Sequence, residues 1–294
     1  MAGIGLLNFG FEFLEIFAFI VLATVGLAVI FGMMGIINLA HGEFILVGAY
    51  ATTFAFAAGL PLSLAMVAGV VVTAIFGLVL ERLIIRHLYG RLLDSMVVTW
   101  GVSLVMIQLV RIAFGNSAPG IGIPFGELPV VDGPAYYLVL GVIAVAVLGG
   151  LYALFMWTDF GVRARATMQD AETARSMGVD TDKMYMSTFT IGSALAGFTG
   201  ALYAPVMTIT PQYGTGFLVE AFVAVVVGGS SVIVGTLLAS GFLGSVNAVF
   251  TNVTESTFIG LVAMLLAAIV AIRLMPDGIT GFLAKFRQRW GENR

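Results

Sequence analysis

FILVGAYATTFAFAAGLPLSLAMVAGVVVTAIFGLVL, from Phe44 to Leu80, contains no Asp, Glu, Lys or Arg. As one helix rising 1.5 Å per residue it would be about 55 Å long, nearly twice the roughly 30 Å hydrocarbon core of a bilayer. It must therefore hold two spans. Gly59-Leu60-Pro61 marks the break, because proline lacks an amide hydrogen and clashes with the preceding helical turn. Four more charge-free runs, Ala135–Thr158, Met184–Val219, Ala221–Thr254 and Ser256–Ile272, repeat the signal.

The chain of 294 residues is 60% hydrophobic and only 10% charged, against roughly 25% charged in soluble domains. Its apolar runs lack the strict alternation of barrel strands, so the sequence reads as an all-α, polytopic transmembrane helical bundle. Spans are expected near 14–37, 43–59, 62–80, 95–114, 135–157, 184–206 and 256–274, with a further folded region at 217–250. The apolar N-terminal thirty residues carry only Glu12 and Glu15, where a secretory signal would carry Lys or Arg, and are read as a retained first span.

Twelve of the 13 basic residues fall into three clusters: Arg82, Arg86, Arg91; Arg163, Arg165, Arg175, Lys183; and Arg273, Lys285, Arg287, Arg289, Arg294. The positive-inside rule makes all three cytoplasmic and puts the lysine- and arginine-free segments 1–13, 115–134 and 251–255 outside. Parity between the last two clusters requires an even number of crossings. The region 217–250, interrupted at Gly228-Gly229-Ser230-Ser231, is accordingly expected to form two crossings or broken helices, giving nine crossings, with eight as the alternative. One transmembrane domain spans 1–294, with a cytoplasmic loop at about 158–183 and a basic cytoplasmic C-terminal tail at 276–294.

Asn38, His41 and Glu43 fall between the first two spans. They read either as a simple cytoplasmic turn or as a partly buried, unwound segment beside a translocation pathway. The tight apolar bracketing and the absence of a basic residue favour the second, since a charge at the bilayer centre costs about 2.5 to 3.5 kcal/mol and faces protein or water. Thr99, Trp100, Ser103 and Gln108 are read as one polar stripe that lines the path or joins helices. Glu220 either lines the path or anchors an outer loop, and Arg111 snorkels or caps a carbonyl.

The loop core Arg163–Met177 has no strong helix breaker, so it reads as one short helix stopped at Gly178. With no cysteine and only His41 and His87, the chain has no thiolate or multi-histidine metal site and no credible nucleophile and base pair. Neither lysine follows a glycine, so the phosphate-loop signature G-x-x-x-x-G-K is absent. An enzyme is disfavoured. What stays open is a permease driven by a separate ATPase, a secondary transporter or a channel.

"GLAVIFGMMGIINLAHGEFILVGAY" (26–50), "FGVRARATMQDAETARSMGV" (160–179), "GSALAGFTGALYAP" (192–205) and "EAFVAVVVGGSSVIVGTLLA" (220–239) together resemble the bacterial branched-chain amino acid permease family of ABC importers. The likeness runs over about residues 14–281. It implies a permease in the bacterial cytoplasmic (inner) membrane. It also implies the partners: a second homologous permease, two cytoplasmic ATPase subunits and an external binding protein. ATP and Mg would sit on the ATPases, with no cofactor on this chain. By the same resemblance the loop around Asp170–Gly178 is a coupling helix, with Arg163, Arg165, Asp170, Ala171, Glu172, Ala174, Arg175 and Gly178 as its ATPase-facing residues. The family includes importers of urea and short amides, and "VTWGVSLVMIQLVRIAFG" (98–115) and "YGTGFLVEAFVAVVVGG" (213–229) are more similar to that branch than to the amino acid branch. Relatives carry "GGxGSxxG" where this chain has Gly228-Gly229-Ser230-Ser231-Val232-Ile233-Val234-Gly235, a departure that keeps the paired-glycine helix break.

Overall fold

A computed structural model describes residues 2–291 except 130, 132 and 230. Ser230 and Arg294, named above in the glycine break and the last basic cluster, lie outside the described residues. The described structure is helical: α1 (Ala2–Met34), α2 (His41–Ala57), α3 (Leu62–Leu83), a 3-10 turn (Ile85–Leu88), α4 (Leu92–Phe114), α5 (Tyr136–Trp157), α6 (Asp159–Gln169), α7 (Ala171–Ser176), α8 (Thr181–Tyr203), α9 (Tyr213–Gly228), α10 (Val232–Thr254), α11 (Thr257–Leu274) and α12 (Gly278–Gly291).

Among the described residues six helices are long and apolar enough to cross a membrane: Leu7–Met34 of α1, α3, α4, α5, α10 and α11. The protein is an all-α, multi-pass bundle. Of the remaining expected spans, α2 has 17 residues, α9 has 16, and α8 is diluted by Thr, Ser and Gly. The expected break between α2 and α3 falls at Gly59, which takes φ +96°, and Pro61 caps α3. Within the region 217–250, α9 ends at Gly228 and α10 begins at Val232.

Two compact units share the chain: 25–123 with 149–219, and 1–24 with 124–148 and 220–294. In the first, α2, α3 and α8 pack closely. Membrane helices gain little from apolar burial against lipid, so close backbone approach through small residues does much of the holding. Gly48 of α2 lies on the backbone of Gly197 in α8, and Gly77 of α3 on the Ser193 side chain; a Cβ on either glycine would fall under 3.0 Å from those atoms. Aromatic rings fill the wider gaps: Phe44 meets Phe189 edge-on at 5.7 Å and Phe76 at 5.4 Å.

The second unit buries Ile20, Ala224, Val227, Ala239, Leu243, Met264, Ala268 and Ala271 in one apolar cluster. Gly228 and Gly235 approach each other across the turn between α9 and α10. Gly229, at φ +83°, lies against Asp277 and Gly278. Only glycine takes both that φ and that proximity without strain. Thr280 closes the corner by donating to the Gly228 carbonyl at 2.8 Å.

Candidate functional site

Helix α1 ends at Gly35, whose φ of +62° turns the chain out of the helix while its N–H still bonds Phe31 O at 2.9 Å. Residues 35–40 are not helical. Backbone that leaves a helix inside a packed bundle must find other hydrogen-bond partners, and α4 supplies acceptors for two of its amides. The Ile37 N–H donates to Ser95 Oγ at 3.3 Å, and the Leu39 N–H to Thr99 Oγ1 at 3.0 Å. The Thr99 hydroxyl lies 2.7 Å from Ser95 O and 3.3 Å from Ile37 O. Four residues further along α4, Ser103 donates to Glu43 Oε1 at 2.9 Å. Positions 95, 99 and 103 recur every four residues and so line one face of α4.

Asn38 in the unwound stretch is 1% exposed, and His41 and Glu43 in the first turn of α2 are 0% and 3% exposed. The unwound part is residues 35–40, which hold Asn38, while His41 and Glu43 are buried within the helix that follows. Asn38 Oδ1 accepts from Ala40 N at 3.1 Å and closes the turn that starts α2. His41 starts α2, and a Cβ on Gly26 would reach its Cε1. Among the described residues, Asn38 Nδ2 and Glu43 Oε2 are buried with no hydrogen-bond partner. One unmet donor and one unmet acceptor thus lie on the same short stretch of chain.

Two residues of the expected α4 stripe lie elsewhere. Trp100 is 57% exposed and Gln108 is exposed too. At about 100° per residue, Trp100 is a quarter-turn or more from Thr99, and Gln108, nine residues on, is about 180° away. Gln108 instead accepts from Arg111 at 3.4 Å. Ser95, which the sequence reading passed over, completes the stripe; the four-residue spacing back from Thr99 is the signal that finds it. Glu220 lies inside α9 and not in a loop, half-buried, with Oε2 buried and unpartnered among the described residues. It belongs to the other compact unit.

The loop 158–183 differs from the single helix expected. It is two helices, α6 and α7, broken at Asp170 (φ −159°, ψ 103°). The reason is local: Asp170 Oδ1 accepts from Glu172 N at 3.0 Å and Thr173 N at 3.1 Å, and Oδ2 from the Thr173 hydroxyl at 2.6 Å. An aspartate that caps a new helix this well competes with continuing the old one. Those bonds, the Thr173 hydroxyl first, hold the Asp170 carboxyl below the usual carboxylate range. Gly178, at φ +88°, stops α7, with Val179 N bonded to Ala174 O at 3.0 Å.

Of the residues assigned to ATPase contact, Arg163, Asp170, Glu172, Arg175 and Gly178 are exposed, Arg165 and Ala171 are half-buried, and Ala174 is buried against its own chain. Arg165 donates to Phe155 O. Arg175 donates to Thr181 Oγ1 at 2.6 Å and pairs with Asp182 at 3.2 Å, tying α7 to the start of α8. Met168 and Met177 are exposed on this loop, and adaptable thioethers suit a docking surface. Beside it, a cleft of about 340 Å³ is lined by Glu81, Arg82, Arg86, Tyr89, Asp180 and Lys183, among others. Within it Lys183 pairs with Asp180 at 2.9 Å and holds that carboxyl below its ordinary range. Burial, then the hydrogen bond to Glu81, pushes the Tyr89 phenol up.

A multi-pass helical bundle with an unwound, polar segment buried in its packed helices and a compact capped helix pair between two of its spans has the build of a solute permease. Residues 10–274 match the family model described as branched-chain amino acid transport system / permease component, and the chain belongs to that family. It is similar to the probable branched-chain amino acid transport permease protein LivH of Methanocaldococcus jannaschii, 26% identical over 280 residues covering 89% of this chain and 88% of the relative. The high-affinity branched-chain amino acid transport system permease protein BraD of Pseudomonas aeruginosa is 29% identical over 285 residues, 88% of this chain and 91% of the relative. The corresponding LivH of Escherichia coli is 24% identical over 280 residues, 88% and 90%. No solved structure matches the chain.

Proposed function

We propose that this chain is the membrane-embedded permease of an ABC importer that moves a small polar solute into the cytoplasm by alternating access. The observation that carries the reading is the family match over residues 10–274. In this reading the basic clusters face the cytoplasm, and the chain works with a second homologous permease, two ATPases that hold ATP and Mg, and an external binding protein in the bacterial inner membrane. The ATPases grip α6 and α7, and their closure rocks the spans. Ligand selectivity rests mainly on the binding protein, because a permease that bound its cargo tightly would trap it.

Branched-chain amino acids are the favoured cargo, since the relatives above carry that description. Urea and short amides are the second reading. It is favoured by the unmet amide donor of Asn38 and the unmet acceptor of Glu43, which match a planar amide's acceptor and donor. In both readings Asn38, His41, Glu43 and Thr99 flank the path, with Trp100, Gln108 and Glu220 as further path candidates, and the break at Gly228 and Gly229 lets α9 and α10 move separately. Co-reconstitution with candidate ATPases, a homologous partner permease and a candidate binding protein tests this. Uptake of labelled leucine or urea that needs ATP supports the reading; flux through this chain alone, or flux driven by an ion gradient, overturns it.

A further inference from the structure

Helix α12 follows the membrane helix α11 after only three residues, Met275, Pro276 and Asp277. Its first turn is fixed to the protein: Ile279 packs against the buried cluster and Thr280 bonds the Gly228 carbonyl. Beyond that turn every position from 282 to 286 is exposed. Three of these are large and apolar: Phe282 at 49%, Leu283 at 47% and Phe286 at 53%. At 3.6 residues per turn they lie within an arc of about 100°. Between Gly278 and Gly291 the sequence carries Lys285, Arg287 and Arg289 and no acidic residue; Lys285 pairs with Asp277, just before the helix.

We infer that α12 lies along the bilayer surface, with Phe282, Leu283 and Phe286 in the headgroup layer of an anionic leaflet. A helix with a narrow apolar face and cationic residues on a short tether from a span can reach that layer, where the apolar residues leave water and the cations meet lipid phosphates. The net charge of +3 within the helix, and its continuity with α11, favour lipid over a protein groove as the occupant. The inference takes the basic side of the protein as cytoplasmic, the leaflet rich in anionic lipid, but does not depend on the cargo or on the ATPases.

Nitroxide labels on single cysteines test it, and no native cysteine interferes. The full chain, with Phe282→Cys, Leu283→Cys, Ala284→Cys or Phe286→Cys, is placed in lipid nanodiscs of phosphatidylglycerol and phosphatidylcholine, or of phosphatidylcholine alone. With anionic lipid, labels at 282, 283 and 286 should collide with oxygen more than with a water-soluble nickel chelate, and the label at 284 the reverse. Lys285→Glu, Arg287→Glu and Arg289→Glu together should lower the preference for anionic lipid by roughly a hundredfold. Nickel access at all four positions would put the helix in water. Protection from both reagents at 282, 283 and 286 would mean a protein partner, and equal insertion in pure phosphatidylcholine would remove the anionic partner; each result overturns the inference.

Discussion

Ser103 of α4 and Glu43 of α2 meet as a hydrogen-bonded pair 2.9 Å apart, with the glutamate only 3% exposed. The bond runs between helices that otherwise touch sparsely, and it extends the face on which Ser95 and Thr99 hold the unwound residues 37–39. One face of α4 thus supports both the break in the helix and the carboxyl beyond it. Removing the hydroxyl strips Glu43 of its side-chain partner while leaving it buried, and an unsatisfied buried polar group costs about 1 to 3 kcal/mol. Ser103→Ala should therefore lower the thermal midpoint in detergent by several degrees, and Ser103→Thr should restore most of it. An unchanged midpoint would show the pair to be energetically idle.

Thr99 serves the backbone, accepting from Leu39 N. Thr99→Val keeps the shape but leaves that amide without its acceptor, so the segment 35–40 should loosen. Hydrogen exchange at Leu39 is expected to rise at least tenfold in Thr99→Val, with exchange in the middle of α3 unchanged. A rise spread evenly over all helices would mean general destabilisation.

Close glycine contacts make a contrast within one protein. Gly48→Ala drives a Cβ into the Gly197 backbone, whereas nothing stands within 4 Å of a Cβ on Gly149. Overpacking costs about 1 to 3 kcal/mol, so Gly48→Ala should fall in stability and folded yield. Gly149→Ala, in the middle of α5, should be neutral or gain up to about 1 kcal/mol of helix propensity. Unfolding in mixed micelles gives both values.

Asp170 predicts a pH dependence. Its folded carboxyl is lowered by bonds from Thr173 and Glu172, so the stabilisation it gives to the start of α7 is complete above the ordinary aspartate range. That stabilisation is lost as pH falls through the lowered folded value. Hydrogen exchange in 171–178, corrected for the intrinsic rate, should accelerate in that acid window in the wild type. Asp170→Asn keeps a cap without a titrating group, and its exchange should be flat over the same window.

The bundle was legible because its signals are long and redundant: Phe44–Leu80 is too long for one crossing, and Pro61 and Gly228-Gly229 interrupt the backbone whatever surrounds them. That Asn38, His41 and Glu43 are buried followed from their apolar flanks. The clamp on them did not, because Ser95 resembles any membrane serine until its spacing from Thr99 and Ser103 is set against the backbone groups it must satisfy. Trp100 and Gln108 were grouped with Thr99 by polarity, and helical angle separates them. At Asp170, helix propensity summed over Arg163–Met177 lost to one side chain accepting three hydrogen bonds. Ala174 faces inward because α7 is only six residues long and must pack one side to stay folded.

Labelling at one position of α7 tests the claim that α6 and α7 offer a grip to a cytoplasmic motor. The natural chain has no cysteine, so Glu172→Cys, at an exposed position, is the sole target for a membrane-impermeant maleimide. Labelling in inverted vesicles but not in intact cells, with protection when the ATPase subunits are bound, is the predicted result. Labelling in intact cells would put the helix pair outside, beyond the reach of any ATPase, and contradict the account.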